Sequence, residues 1–261
     1  MRPAAGWERL VLNPRHEATL RAATGRILAQ RTVLDEWGFL KGRPGARGVR
    51  VLLAGPPGTG KSLSAEVLAR ELGVDLLVVD VSRVVSKWIG ETEKNLSAVF
   101  EVAERAQAVL LFDEADALFA RRTEVSDARD RYANMETAYL LARMESFEGL
   151  TVLSTNLRAN IDRAFVRRME FIVDYEEPDA TARAAIWRCH IPPAAPIARD
   201  VDFDELARLY PVSGGVIRNA AVAAAFLAAG EGVMITQRHF GQAMRTEYEK
   251  AGKAFQGLPG A

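Results

Sequence analysis

The sequence predicts an α/β protein: a parallel sheet with helices on both faces, followed by a small all-helical domain. Three observations carry this. From residue 49 to about 175, short apolar runs alternate with segments of helical apolar spacing. A glycine-rich loop lies between the first apolar run and the first of those helices. After Glu176-Glu177-Pro178 the apolar runs stop and only helical patterns follow.

In order, residues 1–48 read as an approach segment. Trp7 to Leu12 is a short apolar patch, and Glu17 to Trp37 spaces Leu20, Ala23, Ile27, Leu28, Val33 and Leu34 as a helix. A Gly/Pro-containing loop, residues 42–48, leads to the first strand at Val51–Ala54. Ser62 to Leu72 has helical spacing and stops at Gly73. Asp75–Asp80 reads as a second buried strand, and Thr92–Gln107 as a helix with Leu96, Val99, Phe100 and Ala103 on one face. Ala108–Phe112 is the third strand. A charged loop from Arg121 to Arg131 precedes a helix at Tyr132–Phe147. Leu150–Ser154 and Phe171–Tyr175 are the fourth and fifth strands. Helices are then expected at Asp179–Cys189, Phe203–Leu209, Gly214–Ala229 and Thr236–Lys250. The expected domains are therefore 49–177 and 178–253, with a frayed tail at 254–261.

The loop Gly55-Pro56-Pro57-Gly58-Thr59-Gly60-Lys61-Ser62 fits G-x-x-x-x-G-K-[ST]. Its glycines let backbone N–H groups converge on an anion, and the helix behind points its positive end at the same place. Lys61 would reach the β- and γ-phosphates and Ser62 would ligate Mg²⁺, which makes a nucleoside triphosphate the expected ligand.

A second cluster follows the third strand: Asp113-Glu114-Ala115-Asp116. Asp113, ending a buried strand downstream of a phosphate loop, is placed to hold Mg²⁺, and Glu114 could deprotonate an attacking water. Asp116 fits an acid at a helix N-terminus. These letters also spell a helicase box, but the phosphate loop lacks that family's pattern and no Ser-Ala-Thr follows. Asn156 ends the fourth strand, which is expected beside the second. On spacing alone it serves equally as a γ-phosphate sensor or as a turn former.

Bulk composition excludes several classes. Thirty-four basic residues balance thirty-four acidic ones, so no nucleic-acid or membrane footprint is written in net charge. The N-terminus has no apolar signal-peptide region, and the longest apolar run, Ala220 to Ala229, is too short to span a bilayer. The single cysteine, Cys189, excludes an internal disulfide and fits a reducing compartment. A cytoplasmic location without membrane contact is the expectation.

GPPGTGKS, SKWIGETEKN, LLFDEAD, LSTN and DRAFVRRMEF, in that order, resemble the AAA family of ring-forming ATPases, from about Trp7 to Lys253. The resemblance implies a P-loop NTPase sheet of order 5-1-4-3-2, a C-terminal helical lid, and a homo-oligomer, usually a hexamer, with ATP at each subunit junction. It places Gly55 through Leu63 and Asp113 on the nucleotide, with Glu114 and Asn156 catalytic. The arginine fingers fall on Arg167 and Arg168, which resemble the adjacent pair of the katanin and spastin group. The Pro-Gly that separates them in many relatives is missing, which leaves open which of the two reaches the γ-phosphate. Without the family they would read as a surface basic pair. Arg218, in Ser213-Gly214-Gly215-Val216-Ile217-Arg218, matches a second sensor of the wider AAA+ group, with Gly214 and Gly215 letting the lid backbone approach the adenine.

Lys87-Trp88-Ile89-Gly90 resembles the central-pore loop of protein-remodelling motors. The plainer reading tucks Trp88 into the core, but the polar residues around it favour exposure. The stretches at 36–39, 130–134 and 213–219 are also similar to bacterial AAA ATPases found with contractile injection systems. Those carry additional N-terminal sequence, so the resemblance implies a fragment or dependence on partners.

The function expected from the resemblance is ATP-driven remodelling, unfolding or disassembly of a protein threaded through a pore. The alternatives are a slowly hydrolysing assembly factor of a contractile injection system and, less favoured, a nucleic-acid-handling loader, against which the neutral charge and aromatic pore loop argue.

Overall fold

The computed structural model describes residues 1–40, 47–80, 91–115, 128–156, 161 and 163–259, with side-chain placement omitted at 91–92, 128–136 and 163–164. The expected pore loop, Lys87, Trp88 and Ile89, lies outside the described residues, as does Asp116. The chain forms two compact units. The first comprises 1–6, 13–56 and 61–175, and the second comprises 7–12, 57–60 and 176–261.

The first unit is built on a five-stranded sheet ordered β2-β3-β4-β1-β5. Its strands are β1 (Val49–Ala54), β2 (Leu76–Asp80), β3 (Val109–Asp113), β4 (Leu150–Thr155) and β5 (Phe171–Asp174). All the ladders are parallel, with Val51 opposite Val152 and Leu52 opposite Ile172. This is the order implied by the resemblance. β4 lies between β1 and β3, not beside β2.

β1 and β4 are buried throughout, as central strands covered on both faces must be. β2 is a correction to its reading as a buried strand. It is an edge strand pairing with β3, and Val78 stands exposed despite the apolar run.

Among the described residues four longer helices accompany the sheet: α1 (Pro14–Leu28), α2 (Lys61–Leu72), α3 (Glu91–Ala106) and α4 (Ala128–Ser146). α1 packs on α2, and α3 packs on α4. Leu52, Leu110, Phe112 and Leu153 join Phe100 of α3, Leu140 of α4 and Phe147 in one core. Val51, Leu53, Leu111 and Val152 alternate with them and are buried toward the opposite face. A four-residue helix, α5 (Arg163–Val166), was not read from the sequence.

The first helix needs a correction. It starts at Pro14, three residues before Glu17, because Asn13 caps it by accepting from Arg15 N–H and Pro14 fits the first turn. It ends at Leu28. Residues Arg31–Glu36 wind as a π-helix with no buried residue, so no apolar stripe holds the expected 3.6 phase there. Met1 exchanges backbone hydrogen bonds with Leu76, and Glu66 accepts from Ala4 and Ala5 N–H, tying the N-terminus to the sheet edge and α2.

The second unit contains α6 (Ala180–Cys189), α7 (Phe203–Leu209), α8 (Gly214–Glu231) and α9 (Gln237–Lys250). Asp179 caps α6 and Asp202 caps α7. α8 buries Ile217, Ala220, Ala221, Ala224 and Ala228, a small-residue stripe that lets Trp187, Phe240 and Met244 close the core. No helix among the described residues is long and apolar enough to cross a membrane.

The tail expected to fray packs onto the helical unit through Phe255 and Gly257. Phe255 stacks on Tyr210 with ring centroids 5.9 Å apart and meets Tyr248 edge-on at 5.9 Å. Tyr210 donates its hydroxyl to the Gly257 carbonyl at 2.8 Å. Composition alone does not reveal that a buried tyrosine needs this acceptor. Phe255→Ala is therefore expected to destabilise the helical unit by about 1–3 kcal/mol. A urea melt indistinguishable from wild type would contradict the packing of the tail.

Candidate functional site

The phosphate-loop motif sits where β1 ends and α2 begins. Gly55 has φ 145° and sits so close to β5 that an added Cβ would come within 2.3 Å of the Tyr175 carbonyl. Lys61, the first residue of α2, is only 7% exposed. Its ammonium donates to Gly55 O at 2.7 Å, Pro56 O at 2.8 Å and Asn156 Oδ1 at 2.8 Å. The sequence singled out Lys61 and Asn156 separately. The sheet order brings them together, because β4, which Asn156 follows, is the neighbour of β1.

Across the same edge, Asp113 ends β3. Its Oδ2 accepts from the Ser62 hydroxyl at 3.0 Å, and its Oδ1 accepts from the Ser154 hydroxyl. Glu114 is exposed in a left-handed backbone conformation, φ 53°, uncommon for a residue with a side chain. Its N–H reaches Asp113 Oδ1 at 3.2 Å and Ser154 Oγ at 3.3 Å. Ser154 was not read from the sequence. Its signals were its place in the LSTN motif and a hydroxyl next to Thr155 and Asn156 at the end of the strand.

Ser62 and Asp113 together offer one hydroxyl and one carboxylate, both hard oxygen donors. That set suits Mg²⁺, which takes one or two carboxylates together with phosphate oxygens and water. Among the described residues no group of three or more His, Cys, Asp or Glu converges as an all-protein metal site.

Behind the loop, Tyr175 shares a 2.6 Å hydrogen bond with the buried Ser64 of α2. Burial pushes the Tyr175 hydroxyl up to about 12, against the smaller opposing effect of that bond.

In the second unit the loop tip, residues 57–60, meets the start of α8. Gly58 has φ 75°, and an added Cβ would lie 2.7 Å from Ser213 Oγ. Gly215 N–H donates to Gly58 O at 2.9 Å, and a Cβ on Gly214 would stand 3.2 Å from that oxygen. The close backbone approach of Gly214 and Gly215 is thus to the phosphate-loop tip. Leu10 lies 3.6 Å from where a Gly60 Cβ would stand, and Cys189 Sγ donates to Glu8 O at 3.5 Å. Arg218 is exposed on the first turns of α8. Burial, then the charges of Arg9 and Arg218, lower the pKa of half-buried His190, so three basic groups share this neighbourhood. Arg9 and His190 had no motif to mark them.

Arg167 and Arg168 follow α5, and both are exposed. They differ in engagement. Arg168 pairs through Nε with Glu145 of α4, whereas Arg167 makes no ion pair among the described residues.

Residues 51–177 match the family described as the ATPase family associated with various cellular activities (AAA). The chain carries an AAA-family ATPase domain. It is 32% identical over 219 residues to a cell division cycle protein 48 homolog of Archaeoglobus fulgidus, covering 75% of this chain and 30% of that protein. It is 32% identical over 217 residues to a proteasome-activating nucleotidase of Methanococcus vannielii, covering 80% of this chain and 53% of that protein. With an ATP-dependent zinc metalloprotease FtsH 3 of Sphaerobacter thermophilus it shares 35% identity over 232 residues, 84% of this chain and 47% of that protein. The chain therefore spans about half or less of the length of these relatives.

The AAA domain's Tyr175 yields a pH test. The fold retains a proton that the unfolded chain releases above about pH 10. The stabilisation is complete below pH 10 and is lost as pH rises toward about 12. Between pH 9 and 12 wild type should lose about 2–3 kcal/mol more stability than Tyr175→Phe. Denaturation curves with equal pH dependence would contradict the burial of this hydroxyl.

Proposed function

We propose that this protein is an ATP-hydrolysing ring motor that remodels or unfolds protein substrates. The observation that carries the reading is the convergence of Lys61, Ser62, Asp113, Glu114 and Asn156 at one edge of the sheet of an AAA domain. Lys61 would exchange its loop carbonyls for the β- and γ-phosphates of ATP. Ser62 and Asp113 would hold Mg²⁺, which when bound neutralises phosphate charge. The exposed Glu114 carboxylate would accept a proton from water as its oxygen attacks the γ-phosphorus and the bond to the ADP oxygen breaks. Asn156, bonded to Lys61, would report the γ-phosphate to β4.

The arginine finger would come from a neighbouring copy, most economically in a hexamer. Arg167 is the better finger, because Arg168 is already engaged by Glu145 of its own chain. Arg218 would act as a second sensor that contacts phosphate. Lys87, Trp88 and Ile89 would grip polypeptide, a role supported by the names of the relatives: a proteasome-activating nucleotidase and an ATP-dependent metalloprotease. An assembly role in a contractile injection system rests on the three signature stretches at 36–39, 130–134 and 213–219.

The direct test is the mass of Glu114→Gln with ATP and Mg²⁺ against ADP. This variant should keep ATP binding, lose turnover by about a hundred-fold or more, and form a hexamer-sized species with ATP alone. A monomer under both conditions would overturn the ring. Arg167→Ala should lower turnover by about a thousand-fold without changing ATP affinity of the monomer, with Arg168→Ala milder. Equal turnover in Arg167→Ala and wild type would refute its assignment.

A further inference from the structure

Ser154 sits near the end of β4 and is 1% exposed. The described β3–β4 ladder has Leu110 opposite Thr151 and Phe112 opposite Leu153, so Ser154 lies one step past its last pair. There its side chain adds to the backbone in joining the two strands. The hydroxyl donates to Asp113 Oδ1 and accepts from Glu114 N–H at 3.3 Å, while the Ser154 carbonyl accepts from Ala115 N–H at 2.9 Å. The other Asp113 oxygen accepts from Ser62 at 3.0 Å. The carboxylate is thus held from two sides, by a hydroxyl of β4 and a hydroxyl of α2.

We infer that Ser154 is a positioning residue for this site: one buried hydroxyl fixes the rotation of the Asp113 carboxylate and braces the left-handed turn that carries Glu114. The chemistry is specific. A carboxylate turns about its last torsion with little resistance, so which oxygen faces Ser62 is set by its hydrogen bonds. With Oδ1 engaged by Ser154, Oδ2 is directed at the Ser62 hydroxyl and at any cation bound beside it. The left-handed backbone at Glu114, φ 53°, is costly for a residue with a Cβ and persists where its surroundings over-determine it. Two acceptors on the Glu114 N–H and one on that of Ala115 provide that restraint. Ser154 touches neither nucleotide nor metal in this assignment, so it acts through Asp113 and Glu114. The inference rests on the ATPase reading of the site.

The test uses the full chain with Ser154→Ala, which removes one oxygen and leaves the fold space filled, and Ser154→Thr, which keeps the hydroxyl. ATP affinity is measured by calorimetry in EDTA and in Mg²⁺, and turnover is titrated against free Mg²⁺. Ser154→Ala should bind ATP in EDTA within about two-fold of wild type, lose about ten-fold of the gain from Mg²⁺, and need about ten-fold more Mg²⁺ for half-maximal turnover. Its kcat should fall at saturating Mg²⁺ with little change in KM for ATP, and Ser154→Thr should restore most of both. Should Ser154→Ala not fold, Ser154→Cys, a weaker donor of similar size, is expected to fall between Thr and the losses given for Ala. Lowered melting temperature with a wild-type Mg²⁺ response and kcat would make the hydroxyl structural only and overturn the positioning role. A wild type whose ATP binding gains nothing from Mg²⁺ and that does not turn over would instead overturn the ATPase reading on which it rests.

Discussion

A lysine ammonium buried at the start of a helix is the constraint on which the rest of the site depends. Leaving such a charge without acceptors costs several kcal/mol, so the surroundings of Lys61 must supply oxygens on more than one side. They come from the end of β1, through Gly55 and Pro56, and from the end of β4, through Asn156. Only a sheet in which β1 and β4 are parallel neighbours delivers both to one point. The same three contacts hold the loop closed around its start, and each is one that an anion's oxygens can replace.

Parallel strands carry the remaining groups to the same edge. β3 delivers Asp113 and Glu114, and β4 delivers Ser154 and Asn156, all at carboxyl ends, where ligands of open α/β sheets bind. Asp113 ties α2 to β4 through two serine hydroxyls. The helical unit follows a different logic. Its alanine-rich α8 allows close helix packing, and its Ser213-Gly214-Gly215 entry lets backbone meet backbone at Gly58.

Much of this was legible because strand, loop and helix signals are local. Val51 to Ala54 ending at Gly55, and the stop of α2 at Gly73, need no tertiary knowledge. The Asn13-Pro14 cap is equally local, and apolar spacing without it starts the first helix three residues late. What stayed hidden depends on neighbours. What Ser154 bonds to is hidden until β4 is known to flank β3, and an apolar run such as β2 does not announce that it is an edge. Glu145 distinguishes Arg168 from Arg167 only because α4 and the turn after α5 meet in space. The aromatic stacking of Phe255 on Tyr210 likewise joins residues far apart in sequence.

The central claim is a single ATP site whose phosphate side is complete within one chain and whose arginine comes from another. Specific ATPase activity of the wild-type protein, followed as its own concentration is raised at saturating ATP and Mg²⁺, tests this most directly. The account predicts activity per chain that climbs with concentration and then reaches a plateau as copies associate. A constant non-zero activity per chain down to concentrations where the protein is monomeric by mass would contradict it.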